Sequence, residues 1–122
     1  MDSVNIFGQP LQSCSTKPVT GYYRDGCCNT GPDDTGSHVI CCIMTVEFLN
    51  FTLSRGNDLI TPKPIYQFPG LKEGDRWCLC ALRWKEAYEV NCAPPVILES
   101  TNEAVLKYVP MEALLNKAYK EA

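Results

Sequence analysis

Histidine is nearly missing from the chain, and so is any apolar run of bilayer length. The one histidine is His38, so any Cys–His dyad has to use it. A spanning helix needs about 20 predominantly apolar residues, and the apolar runs here are only strand-length, so no membrane partner is expected. A basic stripe is also lacking. The 11 lysines and arginines are scattered, Arg24, Lys63, Lys72, Arg76, Arg83, Lys85 and Lys107 among them, and net charge is −3. Nucleic acid binding normally leaves such an electrostatic footprint, so no nucleic acid is expected either. Residues 1–10 (MDSVNIFGQP) have no basic start and no apolar stretch of signal-peptide kind, which points to a cytoplasmic protein. The G-x-S-x-G, H-E-x-x-H, G-x-x-x-x-G-K and G-x-G-x-x-G signatures are absent, so the common hydrolase, zincin and nucleotide folds are not signalled.

What is present reads as one globular domain, residues 1–122 with a core of about 5–119. A hydrophobic share of 45% with 20% charged residues fits a packed core. Eight cysteines, at 14, 27, 28, 41, 42, 78, 80 and 92, stand out. In a secreted chain an even count suggests disulfides, whereas a reducing compartment favours packing thiols, a metal site or a redox site.

Residues 3–20 are rich in turn formers, and Gly21–Arg24 reads as a short extended piece because paired tyrosines favour strand. After the Asp25–Gly26 turn and a loop over residues 29–37, His38–Met44 (HVICCIM) is a β-branched run apolar on both faces, the pattern of a doubly covered strand. Thr45 is the expected N-cap of a helix over Val46–Arg55, and Gly56 its stop. The Pro- and Gly-rich stretch 57–75 predicts a long loop, a place where sites are often built. The pattern then predicts a strand over Arg76–Arg83, a helix over Trp84–Val90, and a third strand over Val96–Glu99. Ser100 and Glu103 suggest a capping box, and Met111, Leu114, Leu115, Ala118 and Tyr119 mark a last helix after Pro110. The expected class is α+β, with a small mixed sheet packed by three or four short helices and long Pro/Gly-rich loops.

The blocks NIFGQPL, TGYYRDGCCNTGP, GNDL, FPGLKEGDRWCLCALRWKEA and APPV occur in an order that resembles the domain of unknown function 2237 family, small and mainly bacterial proteins. The resemblance runs from about Asn5 to Leu115. It implies nothing definite about activity, because the family is uncharacterised. The resemblance leads one to expect a histidine after Thr101, where this chain has Asn102, and a small residue where it has Cys42.

Three functional readings follow. The first is a binding module for a small molecule or protein partner, its site built from the Arg24–Cys28 turn, the 57–75 loop and the Gly74–Trp77 turn. Its residues are Arg24, Asp25, Asn57, Asp58, Asp75, Arg76 and Trp77, charged and aromatic groups on loops beside rigid strands. The second is a thiol-dependent enzyme or redox protein using Cys27 or Cys28, with Arg24 or His38 as activator. The third is a metal site, zinc being the candidate, from Cys27, Cys28, Cys78 and Cys80, with Cys14 or His38 as substitutes. Cys78 and Cys80 share a strand face at about 6 to 7 Å, too far for an easy mutual disulfide but within reach of one ion. For each cysteine, plain packing is the alternative.

Overall fold

The structure, a computed structural model, describes residues 3–119. It has the expected α+β class. At its centre lies an antiparallel pair, β1 (His38–Ile43) and β2 (Arg76–Cys80), with Cys41 opposite Cys78, Cys42 opposite Trp77 and Ile43 opposite Arg76. The four inner residues of β1 are buried, as a run apolar on both faces requires. Because side chains alternate, Cys41 and Cys78 share one face of the pair while Cys42 and Trp77 point to the other. A register irregularity between His38 and Ile40 sets His38 against Cys80.

Helix α1 (Val46–Ser54) starts where Thr45 predicts it: the Thr45 hydroxyl accepts from the Phe48 amide, and Phe48, Leu49 and Thr52 are buried. Helix α2 (Ala81–Tyr88) begins earlier than the sequence suggests, so β2 ends at Cys80 and not at Arg83. Packing decides this. Ala81, Trp84 and Ala87 form a buried stripe at helical spacing, and Leu82, core-facing on the strand reading, is exposed. Trp84 anchors the core: its indole donates to Pro94 O at 3.2 Å and stacks on Tyr88. Helix α2 packs on both strands and on α1.

The third strand and the sheet's mixed character are reduced to single bridges, Val96 with Cys42 (antiparallel) and with Ala118 (parallel). The chain leaves extended geometry directly afterwards, in a 3-10 turn at Leu98–Ser100. A second 3-10 segment, Glu103–Lys107, is capped by Asn102 and not by Ser100, whose hydroxyl instead donates to Ser13 O. Helix α3 (Met111–Asn116) stops before Ala118 and Tyr119 because that segment bonds Val96 through its backbone. The loop at 57–75 holds one 3-10 turn, Pro64–Tyr66. Gly21–Arg24 is a turn, not a strand, and Arg24 takes φ +56°. Among the described residues no helix is long and apolar enough to cross a membrane.

Candidate functional site

A cleft of about 620 Å³ opens between the Gly21–Arg24 turn, the start of β1 and the segment 57–68, with the nearly buried Trp77 among its walls. Gly21 permits the tight turn on one side. Its φ is +98°, and any Cβ there would collide with the Cys27 carbonyl. Across the cleft, Asn57 bonds Thr52 at the end of α1 and Asp58 turns the chain, its carboxylate accepting from the Ile60 and Thr61 amides. The Thr61 hydroxyl and these amides hold the Asp58 carboxyl below the usual carboxylate range.

Arg24 joins the two sides. Its guanidinium donates to Gly21 O at 2.7 Å and to Tyr66 O at 3.0 Å, and its carbon lies 5.1 Å from the Trp77 ring centroid. Its Nε is buried and has no hydrogen-bond partner among the described residues. Partial burial lowers the Arg24 pKa. Among the described residues no carboxylate pairs with Arg24 or with Lys63, the other cation of the cleft. Tyr22, Tyr66 and Phe68 line it as well.

His38 stands at the edge of this cleft, stacked on Tyr22. Its Nδ1 lies 2.6 Å from Asp34 Oδ1, and the buried Asp34 carboxylate also accepts from the His38 amide and the Thr30 hydroxyl. Gly36 leaves room for the ring, since a Cβ there would sit 2.7 Å from His38 Cε1. The residue Asp34 was legible only as loop charge; its buried role comes from the 34–38 turn closing on itself.

Of the binding residues named from sequence, Arg24, Asn57, Asp58 and Trp77 line the cleft. Asp25 faces a separate depression with Cys27, and its carboxylate is committed to the Cys27 amide and Asn29. Asp75 holds the Lys72 turn, and Arg76 pairs with Ile43 in the ladder, both outside the cleft. The residues that sequence reasoning missed are Tyr22, Lys63, Tyr66 and Phe68. Lys63, Tyr66 and Phe68 were legible only as members of the 57–75 loop, and Tyr22 only as part of the piece read as extended.

The cysteines gather behind the cleft, which Cys78 also lines. Cys14 pairs with Cys41 and Cys28 with Cys78 as disulfides, and the four form one buried cluster with Ile97 packed against it. The sulfurs of Cys14, Cys28 and Cys78 all lie within 4.8 Å of one another, close enough to share a metal if reduced. Of the four metal candidates from sequence, Cys28 and Cys78 are in this cluster; Cys14, named as a substitute, and Cys41, not named, take the other places. Cys80, at the junction with α2, and Cys27 are free thiols outside it. Neither catalytic cysteine candidate has the environment of a nucleophile. Cys28 is bonded, and burial followed by the Asp25 charge pushes the Cys27 thiol up, the reverse of activation.

No curated protein matches the chain. The family described as uncharacterized protein conserved in bacteria (DUF2237) matches residues 4–118, nearly the whole chain, and the protein belongs to that family.

Proposed function

We propose that the protein is a binding module for a small molecule and that the cleft at Arg24 and Trp77 is its site. The observation that carries this reading is the Arg24 guanidinium, partly desolvated, stacked on Trp77 and without a carboxylate partner among the described residues. Lys63 adds an exposed ammonium, bonded to Asp58 O at 3.4 Å, and tyrosines and Phe68 supply apolar surface. A ligand with a planar apolar body and one negative group complements both features. A protein partner is the second reading, favoured by Ile65 and Tyr66, which are 86% and 67% exposed at the cleft.

A thermal-shift panel of aromatic carboxylates, each paired with its neutral amide, tests the proposal. At 100 times Kd a ligand adds about 2.7 kcal/mol of stability, so acids that bind raise Tm clearly and their amides do not. A flat panel on well-folded protein contradicts the small-molecule reading. The paired cysteines suit an oxidising compartment, and in a reducing one the four clustered sulfurs are thiols.

A further inference from the structure

We propose that Cys14, Cys28, Cys41 and Cys78, when reduced, form a closed four-thiolate site for one zinc ion, and that their oxidation to two disulfides expels it. The cluster draws its sulfurs from four separate segments: two loops, β1 and β2. Three of the sulfurs already lie within 4.8 Å of one another, and the fourth, on Cys41, is bonded to Cys14 and sits directly across the ladder from Cys78. Tetrahedral zinc with Zn–S bonds of about 2.3 Å sets its sulfurs about 3.8 Å apart. Reaching that spacing requires each bonded pair to open and the Cys41 side chain, outside the group of three, to turn toward Cys28 and Cys78.

The backbone carrying each ligand is held by bonds that do not involve sulfur. Cys14 N donates to Gly26 O at 2.7 Å, Cys41 N to Thr101 Oγ1 at 3.3 Å, and Cys78 N to Thr20 Oγ1 at 2.8 Å. The Asn102 amide donates to Cys28 O at 3.1 Å. Opening the disulfides therefore leaves the four sulfurs gathered. All four side chains are at most 3% exposed, so no water has access to a coordination position, and a closed set of soft donors selects zinc over oxygen-seeking cations.

Peroxide as oxidant balances the switch. Four zinc-bound thiolates give up four electrons, two to each of two peroxide molecules, whose O–O bonds break to yield four hydroxide ions. Four Zn–S bonds break, two S–S bonds form, and Zn²⁺ leaves. The ligand spacing of 14, 28, 41 and 78 contains no C-x₂₋₄-C knuckle, so the sequence alone does not announce this set.

The test uses the full chain, reduced under oxygen-free conditions and titrated with Co²⁺ and then Zn²⁺. One cobalt per chain is expected, with the visible bands of tetrahedral coordination and a strong thiolate charge-transfer band, both lost on adding zinc. With zinc bound, iodoacetamide should spare Cys14, Cys28, Cys41 and Cys78 and modify the accessible free thiols. Two equivalents of peroxide should release the metal and yield the Cys14–Cys41 and Cys28–Cys78 peptides. A Cys27→Ser/Cys80→Ser variant should bind as the parent does, and Cys14→Ser should lose stoichiometric binding. If Cys14→Ser does not fold, the map of protected thiols in the parent chain decides. Absence of stoichiometric cobalt, protection centred on Cys27 or Cys80, or metal retained after both disulfides form would each overturn the proposal.

Discussion

Breaking the Cys14–Cys41 bond in the oxidised, metal-free protein should lower its stability by about 3.5 kcal/mol, the loop-entropy value for the 27-residue separation. The same reasoning gives about 4 kcal/mol for Cys28–Cys78, separated by 50 residues. The two loops overlap between residues 28 and 41, so the losses should not add in full. Against a total of roughly 5–15 kcal/mol for a domain, either loss is large. It should be felt most by residues 3–37, which contain no helix or strand and make only isolated bridges. Urea unfolding of the Cys14→Ala/Cys41→Ala variant, beside parent protein reduced in chelator, separates the bond from the sulfurs. Both samples should show a lower midpoint and a steeper m-value, because the uncrosslinked unfolded chain exposes more surface. A loss below about 1 kcal/mol with unchanged m would refute the reasoning.

Other expectations follow from single contacts. Arg24→Ala removes two hydrogen bonds and the stacking on Trp77, and should cost about 1–2 kcal/mol while raising amide exchange across residues 63–68. Unchanged exchange there would mean that Arg24 does not join the cleft walls. Asp34→Ala leaves the His38 amide and the Thr30 hydroxyl without their acceptor, a loss of roughly 3 kcal/mol in a chemical melt. The Cys27 thiol, raised above its ordinary 9.0 by burial and then Asp25, should react with iodoacetamide more slowly at neutral pH than free cysteine, and Asp25→Asn should speed it. Faster reaction would revive thiol chemistry at this position. For Asp58 the folded pKa lies below the ordinary 3.8, so its contribution is complete above that value and is lost as pH falls below it. The protection of the Ile60 and Thr61 amides, relative to their intrinsic exchange rate at each pH, should fall over that acid range and hold above it.

Local rules read well from the sequence. Thr45 capping α1, the buried run of β1 and the loop character of 57–75 rest on neighbours in the chain, and each stands in the structure. Contacts across the chain decided the rest. Arg76–Arg83 looked like one strand because residues 77–82 are an unbroken apolar run, yet burying Trp84 with Ala81 and Ala87 puts Ala81–Arg83 in a helix. Asn102 caps its segment and reaches Cys28 O, a long-range bond that no spacing pattern reveals. Cysteine pairing is the clearest case. Adjacent Cys27 and Cys28 separate into a free thiol and a buried bond because neighbouring side chains leave the backbone in different directions. In the cleft, Arg24, Asn57, Asp58 and Trp77 were legible as polar or aromatic residues at segment ends, whereas Tyr66 and Phe68 join it only through the fold of the 63–68 turn.

The most direct measurement of the central claim is a ¹⁵N NMR titration with the tightest aromatic carboxylate from the panel, following both tryptophan indoles. Trp77 walls the cleft, while Trp84 is buried against Tyr88 and Pro94 O and serves as the internal control. The account predicts saturable shifts at the Trp77 indole, at residues 22–24 and at 57–68, with Trp84 still. Shifts confined to residues outside the cleft, or equal movement of both indoles, would contradict it.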